Sequence, residues 1–357
     1  MKERKLIATV LIVSAVIGAA AGVYTYKHHQ KVLREEREAR LKQLAVEKEI
    51  KEASDNIIVA IKGDENTVLK QGEEYIESGA YGMDKLQGPI TTYETKGRVN
   101  KDKPGDYKIE YIFKSGKGKK TLTRNVKVVP ESEFVPNTKG ISVLAYHGVC
   151  KDNDTEAIQS RFEVTESALI RQLQYLKDNH YYFPSHKELR AYIDGVHSLP
   201  EKSVLVTFDD GRQDFLDNGI PILEKLQVPA TSFMIGTMSN ARENIKKYAS
   251  RYVICENHTY DLHGNHVNGK APLELATKEQ IRQDFAANSQ ILGSNDAMAY
   301  PYGAYTPDAQ DVIREQGITC AYKFKPGKVV PGSDFTCLPR MEIRNKFTIN
   351  DFIFSLQ

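Results

Sequence analysis

The sequence predicts an α/β domain of roughly barrel size, preceded by a small all-β sandwich and an N-terminal membrane helix. Three observations carry this. Residues 6–26 hold no charge, and Lys2, Arg4 and Lys5 precede them. Residues 106–113 ("DYKIEYIF") and 123–129 ("TRNVKVV") alternate apolar and polar side chains, the period of antiparallel strands. Beyond residue 140, short apolar runs alternate with amphipathic helical stretches, as parallel strands joined by helices require.

The elements follow in chain order. The uncharged stretch is about as long as a bilayer-spanning helix, and the basic residues before it predict a cytoplasmic N-terminus. Ala19, Ala20 and Ala21 offer a cleavage site, but the apolar run is long, and Tyr24 and Tyr26 stand where an interfacial belt would lie. The reading is an uncleaved single-pass signal-anchor over residues 1–26, with the remainder outside the cytoplasm. Residues 27–54 are rich in helix formers, lack Gly and Pro, and pair Glu38 with Lys42 at helical spacing. They predict a charged helical stalk. Residues 55–130 are the β-sandwich, with "SGKGKK" as the turn between its clearest strands. The segments "YIESGAYGMDKLQG", "KPGDYKIEYIF" and "RNVKVV" resemble bacterial immunoglobulin-like surface domains. No cluster of catalytic residue types occurs there, so this region is read as a spacer, and residues 131–139 as a polar linker.

Composition narrows the function. A net charge of +2 gives no basic face for nucleic acid. With 19 Tyr and no Trp, a sugar site would stack on Tyr or Phe. Cys150, Cys255, Cys320 and Cys337 form no C-x-x-C pair, and both disulfides and free thiols stay open.

Residues 140–357 hold the chemistry. Apolar runs at 140–149, 203–208, 230–236, 297–303 and 317–324 read as strands, and 166–179, 215–227, 278–292 and 307–316 as helices. In such folds reactive groups sit at the C-terminal ends of strands. "LVTFDDG" puts Asp209 and Asp210 at one such end, "ENHTYDLHG" supplies His258 and His263, and "AYPYGAY" makes a turn at another. One carboxylate and two imidazoles suit a catalytic zinc, and the second carboxylate remains to take a proton from water. A divalent ion would also relieve the repulsion between the adjacent aspartates. Gly211 lets the chain turn sharply so that both side chains face the pocket.

These segments look like the polysaccharide deacetylases of carbohydrate esterase family 4, the NodB-homology domains, over about residues 140–350. The T-F-D-D-G stretch at Thr207–Gly211, the H-T stretch with a second histidine at His258–His263, and the P-Y-G turn at Pro301–Gly303 carry the resemblance, as does "LAYHGV" as a first strand. It implies a distorted (β/α) barrel with fewer than eight repeats. It implies Asp209 as general base, and Asp210, His258 and His263 as ligands of Zn2+ or another divalent transition metal. The backbone N–H of Tyr302 would face the oxyanion, with Thr259, Pro301 and Tyr302 supporting substrate. The family usually has Arg two residues before the proline; Ala299 stands here, and Arg340 is the replacement. The usual late Leu-x-His is absent, with "LPRMEI" in its place. The histidines are five apart, as in the branch acting on extracellular poly-N-acetylglucosamine. His147 is expected to be packed behind the site, and His266 to be an exposed loop residue. Asp261 either orients a histidine or faces solvent, and Glu342 is read as part of a surface ion pair.

The implied activity is metal-dependent N-deacetylation of N-acetylglucosamine in a cell-envelope glycan: peptidoglycan, a wall-polysaccharide linkage or an exopolysaccharide. The competing readings are a non-catalytic glycan-binding surface protein and a metal amidase acting on peptide bonds. Under the spacer reading, deleting residues 55–130 should leave action on soluble oligosaccharides intact.

Overall fold

The computed structural model describes residues 1–238 and 240–357. One helix, α1 (Lys2–Asp55), contains the uncharged stretch and the charged stalk without a break. It is the single helix near the N-terminus, among the described residues, that is long and apolar enough to cross a membrane. Its last turns rest on the sandwich: Lys117 pairs with Glu49, and the Lys119 N–H donates to Ser54 Oγ at 3.0 Å.

The sandwich has two sheets. Strands β1 (Ile57–Ile61), β3 (Ala80–Asp84) and β4 (Gly88–Ile90) form one antiparallel sheet. The other runs in the order β2 (Asn66–Lys70), β7 (Gly118–Val129), β6 (Gly105–Ser115), β5 (Glu94–Lys96). The β6–β7 hairpin is longer than its alternation suggested, turning at Gly116 and Lys117. Strand β2 pairs parallel to β7, a departure from the all-antiparallel expectation. Alternate residues of β7 point inward, Leu122, Val126 and Val128 together with the fully buried Arg124. That guanidinium donates to the carbonyls of Lys62, Asp64 and Gly79, to Thr67 Oγ1 and to Tyr111 Oη, so the buried charge is fully hydrogen-bonded.

The third region is a curled half-barrel of seven parallel strands. Their order is β15 (Cys320–Tyr322), β14 (Ala297–Ala299), β13 (Val253–Asn257), β12 (Ala230–Met234), β11 (Val204–Phe208), β8 (Ser142–Tyr146), β16 (Met341–Glu342). A separate short pair, β9 (Gly148–Cys150) and β10 (Glu163–Thr165), lies beside the rim. Period-two geometry sorts the strand residues. Leu144, Tyr146, Val204, Val206 and Phe208 pack outward against the covering helices, whereas Val143 and Leu205 fill the interior with Phe233, Ala299 and Tyr322. Both faces are buried, which is why these strands read as continuous apolar runs. Helices α2 (Glu166–Asp178) and α3 (His186–Ile193) start on hydroxyl caps, Thr165 and Ser185. They are followed by α4 (Ile220–Leu226), α5 (Ala241–Lys247), α6 (Pro272–Leu275), α7 (Lys278–Leu292), α8 (Pro307–Glu315) and α9 (Ile349–Leu356).

Two connecting regions are packed against their neighbours. Residues 131–139, read as a polar linker, are held to the half-barrel. Phe134 is buried, and the Asn137 N–H donates to the Leu199 carbonyl at 2.8 Å. The sandwich, read as a spacer, packs there as well. Its Ala60, Tyr81 and Met83 share one buried cluster with Met234, Ile245, Ile254, Ile291 and Leu292 of the half-barrel. Apolar surface buried on both partners stabilises the pair at roughly 25 cal/mol per Å2, so deleting residues 55–130 would expose a core. All four cysteines are free thiols.

Candidate active site

The alternation that sorts β11 also explains the adjacent aspartates. Leu205, Thr207 and Asp209 follow one another at period two, so Asp209 faces the interior with Leu205. There it meets Arg340, which donates from both terminal nitrogens to the two carboxylate oxygens at 2.7 and 2.6 Å. Arg340 also donates to Thr207 Oγ1 at 3.2 Å. Asp210 then adopts a left-handed backbone with φ +71°, and Gly211 another at φ +66°. These turns break the alternation and bring the Asp210 carboxylate to the rim. The positive φ favours glycine at 211, and a side chain there would also have to displace the end of Met234.

At the rim, Asp210 Oδ1 lies 3.3 Å from the Nε2 atoms of both His258 and His263. His258 Nδ1 lies 2.7 Å from the Ala299 carbonyl. A carbonyl can only accept, so Nδ1 carries the proton and Nε2 presents its lone pair to the cluster. One carboxylate and two imidazoles thus converge with their ligand atoms within 4.8 Å of one another. The donor set fits a divalent cation, and a carbonyl-anchored histidine is the support such ligands ordinarily have.

Burial alone would raise the pKa of Asp209. The charge and paired hydrogen bonds of Arg340 outweigh it and hold the carboxyl below the usual carboxylate range. Burial also opposes ionisation of Asp210; with no cation bound, protonated His258 and His263 donate to it and reverse this, and a bound cation would take the place of those protons. Asp209 is therefore a carboxylate outside the Asp210–His258–His263 cluster, charged, and fixed in direction.

The cleft is walled by His147, Phe162, Arg212, Tyr300, Tyr302 and Phe324. His147 directly follows β8, so it too stands at a strand end. Its Nε2 is 4.0 Å from Asp209 Oδ2, and its buried Nδ1 has no partner among the described residues. Burial lowers its pKa, although Asp209 and Asp210 pull the other way. The sequence reading put His147 behind the site; the structure brings it to the cleft wall, and its position one residue past a strand was the available signal. Tyr302 is half exposed, sits at φ +58° and lies between His263 and His266 with its ring tilted against both. The cleft's aromatic side chains are Tyr and Phe, as a Trp-free chain requires.

Other candidate residues fall elsewhere. Thr259 and Pro301 are buried and do not line the cleft; Thr259 instead anchors its loop, with N–H to Asn257 Oδ1 and carbonyl to Asn288 Nδ2, each at 2.8 Å. Asp261 touches neither histidine and accepts from Thr237 at the surface. His266 is exposed, and Glu342 pairs with Arg161 and Arg344.

Comparison with known proteins agrees with this architecture. Residues 197–321 match the family model for polysaccharide deacetylase, and residues 59–128 match that for the Ig-like domain of bacterial surface proteins. The chain is 26% identical over 271 residues to a poly-β-1,6-N-acetyl-D-glucosamine N-deacetylase of Staphylococcus aureus, covering 71% of this chain and 88% of that one. It resembles the solved structure of IcaB from Ammonifex degensii at 28% identity and TM-score 0.52, over 61% of this chain and 95% of that one. The Streptococcus pyogenes deacetylase PplD, solved with acetate, shares the fold at 23% identity and TM-score 0.53, over 62% of this chain and all (100%) of that one. The chain therefore carries a polysaccharide deacetylase domain, with a bacterial surface Ig-like domain ahead of it.

Proposed function

We propose that this protein is a membrane-anchored, metal-dependent N-deacetylase that removes acetyl groups from N-acetylglucosamine in an extracellular glycan. Poly-β-1,6-N-acetylglucosamine is the first candidate substrate, because the Staphylococcus aureus relative is named for it and the histidine spacing points the same way. Peptidoglycan and a wall-polysaccharide linkage are the other two. The observation that carries the reading is the side-by-side pair of carboxylates in different company. Asp210 sits among imidazoles, and Asp209 is gripped by Arg340.

Asp210, His258 and His263 would hold the cation, Zn2+ first among divalent transition metals, which when bound acidifies water and polarises the acetyl carbonyl. Asp209 takes the proton of the attacking water while Arg340 keeps its carboxylate aimed. The water oxygen bonds to the carbonyl carbon, and the Tyr302 N–H stabilises the oxyanion. The proton that Asp209 takes is returned to the glucosamine nitrogen as the C–N bond breaks, relayed by His147, whose Nε2 lies 4.0 Å from Asp209 Oδ2. Acetate and a free amine result. Phe162 and Tyr302 offer faces on which the sugar ring can stack.

The test is acetate release by the purified chain from β-1,6-linked N-acetylglucosamine oligomers and from peptidoglycan, with Zn2+ and with chelator. Release that needs metal supports the reading, and a higher rate on the oligomers selects the substrate. Absence of acetate from every glycan, with metal bound, overturns it in favour of a glycan-binding role.

A further inference from the structure

The sandwich meets the half-barrel at the N-terminal ends of the strands, opposite the cleft. Lys62, just past β1, enters this floor. Its Nζ donates to Asp296 Oδ2 at 2.6 Å and to Ser294 Oγ at 3.1 Å, and its side chain is only 16% exposed. Ser294 in turn donates to Glu256 Oε1. The other oxygen of Glu256 accepts the backbone N–H groups of Asp296 and Ala297 at 3.1 and 3.2 Å.

These bonds occupy a weak place in the sheet. Strands β13 and β14 share one registered pair, Asn257 with Met298, whereas β12 and β13 share five. The Glu256 carboxylate, on β13, holds the entry of β14 through two amides and a hydroxyl, doing the work of missing ladder bonds. Two residues further along each strand, β13 leads into His258 and β14 ends on Ala299, whose carbonyl fixes the His258 ring.

We propose that Lys62 is a positioning residue for His258: by clamping Glu256, Ser294 and Asp296 from the neighbouring domain, it keeps β13 and β14 in the register that orients this ligand. The proposal rests on the reading of Asp210, His258 and His263 as a metal site. It makes the Ig-like domain part of the catalytic fold rather than a tether.

The test uses the full-length chain in detergent, titrated with Co2+ and followed by its visible absorption. Lys62→Met should weaken Co2+ binding by about tenfold, the low end for losing a partner behind a ligand, and shift the absorption bands. Arg251→Ala, which breaks a different inter-domain pair, to Glu65 at 2.7 Å, should leave both unchanged. Glu256→Gln should cost a similar factor, and combining it with Lys62→Met should add little. Co2+ affinity of Lys62→Met within twofold of the parent overturns the proposal, as does an equal loss in Arg251→Ala. Should Lys62→Met fail to fold, Ser294→Ala is read the same way: a several-fold loss supports the clamp, and unchanged affinity overturns it. Failure of the parent chain itself to bind Co2+ is a separate result and removes the metal site.

Discussion

The half-barrel carries a buried charge cluster at each end. At the rim, Asp210 Oδ1 faces the Nε2 atoms of two imidazoles, one of which is held through its Nδ1 by the Ala299 carbonyl. At the floor, Glu256 and Asp296 face a lysine, a serine hydroxyl and two backbone amides, all donors. Both ends bring carboxylates out of water, at a similar desolvation cost. The floor answers that cost with protons the protein itself supplies. The rim gathers lone pairs instead, and so calls for a cation from outside. The difference separates a structural cluster from a chemical one more clearly than burial or residue type does.

Several substitutions break or sharpen this contrast. The largest effect is expected from Asp209→Asn. Acetate release should fall by about 10^2 to 10^4 fold, the usual share of a general base, while Co2+ absorption stays as in the parent. Retained turnover would remove Asp209 from that role. His258→Ala should weaken metal binding by more than about 100-fold, beyond what an outer partner contributes, without comparable loss of folding. Arg340→Met leaves Asp209 buried and unpaired, and should destabilise the domain by about 3–5 kcal/mol in urea unfolding.

A smaller effect tests the interior between the two ends. His186 is buried between Tyr322 Oη and Thr231 Oγ1, at 2.8 and 2.9 Å. Burial lowers its pKa to about 4 from an ordinary 6.5. The folded chain keeps it neutral where the unfolded chain binds a proton. Its stabilising contribution is thus full above pH 6.5 and is lost as the pH falls towards 4. The His186→Gln variant should show a shallower loss of stability across that window, by about one proton. An unchanged slope would mean that His186 is charged in the fold. The smallest effect belongs to Tyr302→Phe, which removes an exposed bond from Tyr302 Oη to the Gly264 carbonyl. Rates should move by no more than a few fold, because the backbone N–H is the group assigned to the oxyanion.

Much of this was legible in the sequence. The long apolar N-terminal helix was legible as an uncharged run, the β6–β7 hairpin as a period-two alternation, and five of the seven half-barrel strands as continuous apolar runs. Strand β13 was not, because "VICEN" ends in two polar residues committed to internal bonds. Strand β16 is two residues long and has no period to read. The rim cluster could be assembled from short motifs, since each of its side chains follows a strand end. His147 was visible but misplaced: its position one residue past β8 pointed to the cleft, and the packing reading passed over that signal. The floor was illegible, because Lys62 and Glu256 are far apart in the chain and meet only once two domains have docked. Arg124 escaped for a related reason, its acceptors being carbonyls that any sequence possesses.

Under the proposed membrane anchoring, the uninterrupted helix α1 would set a working height. With residues 6–26 in a bilayer, the remaining turns to Asp55 rise roughly 40 Å at 1.5 Å per residue before the first strand begins. Because the helix end contacts β7, and the sandwich packs on the half-barrel, that lever arm would carry the cleft with it. The enzyme would then modify glycan strands within one layer of the envelope at a set distance from the lipid, and shortening the stalk by whole turns would move that layer inward.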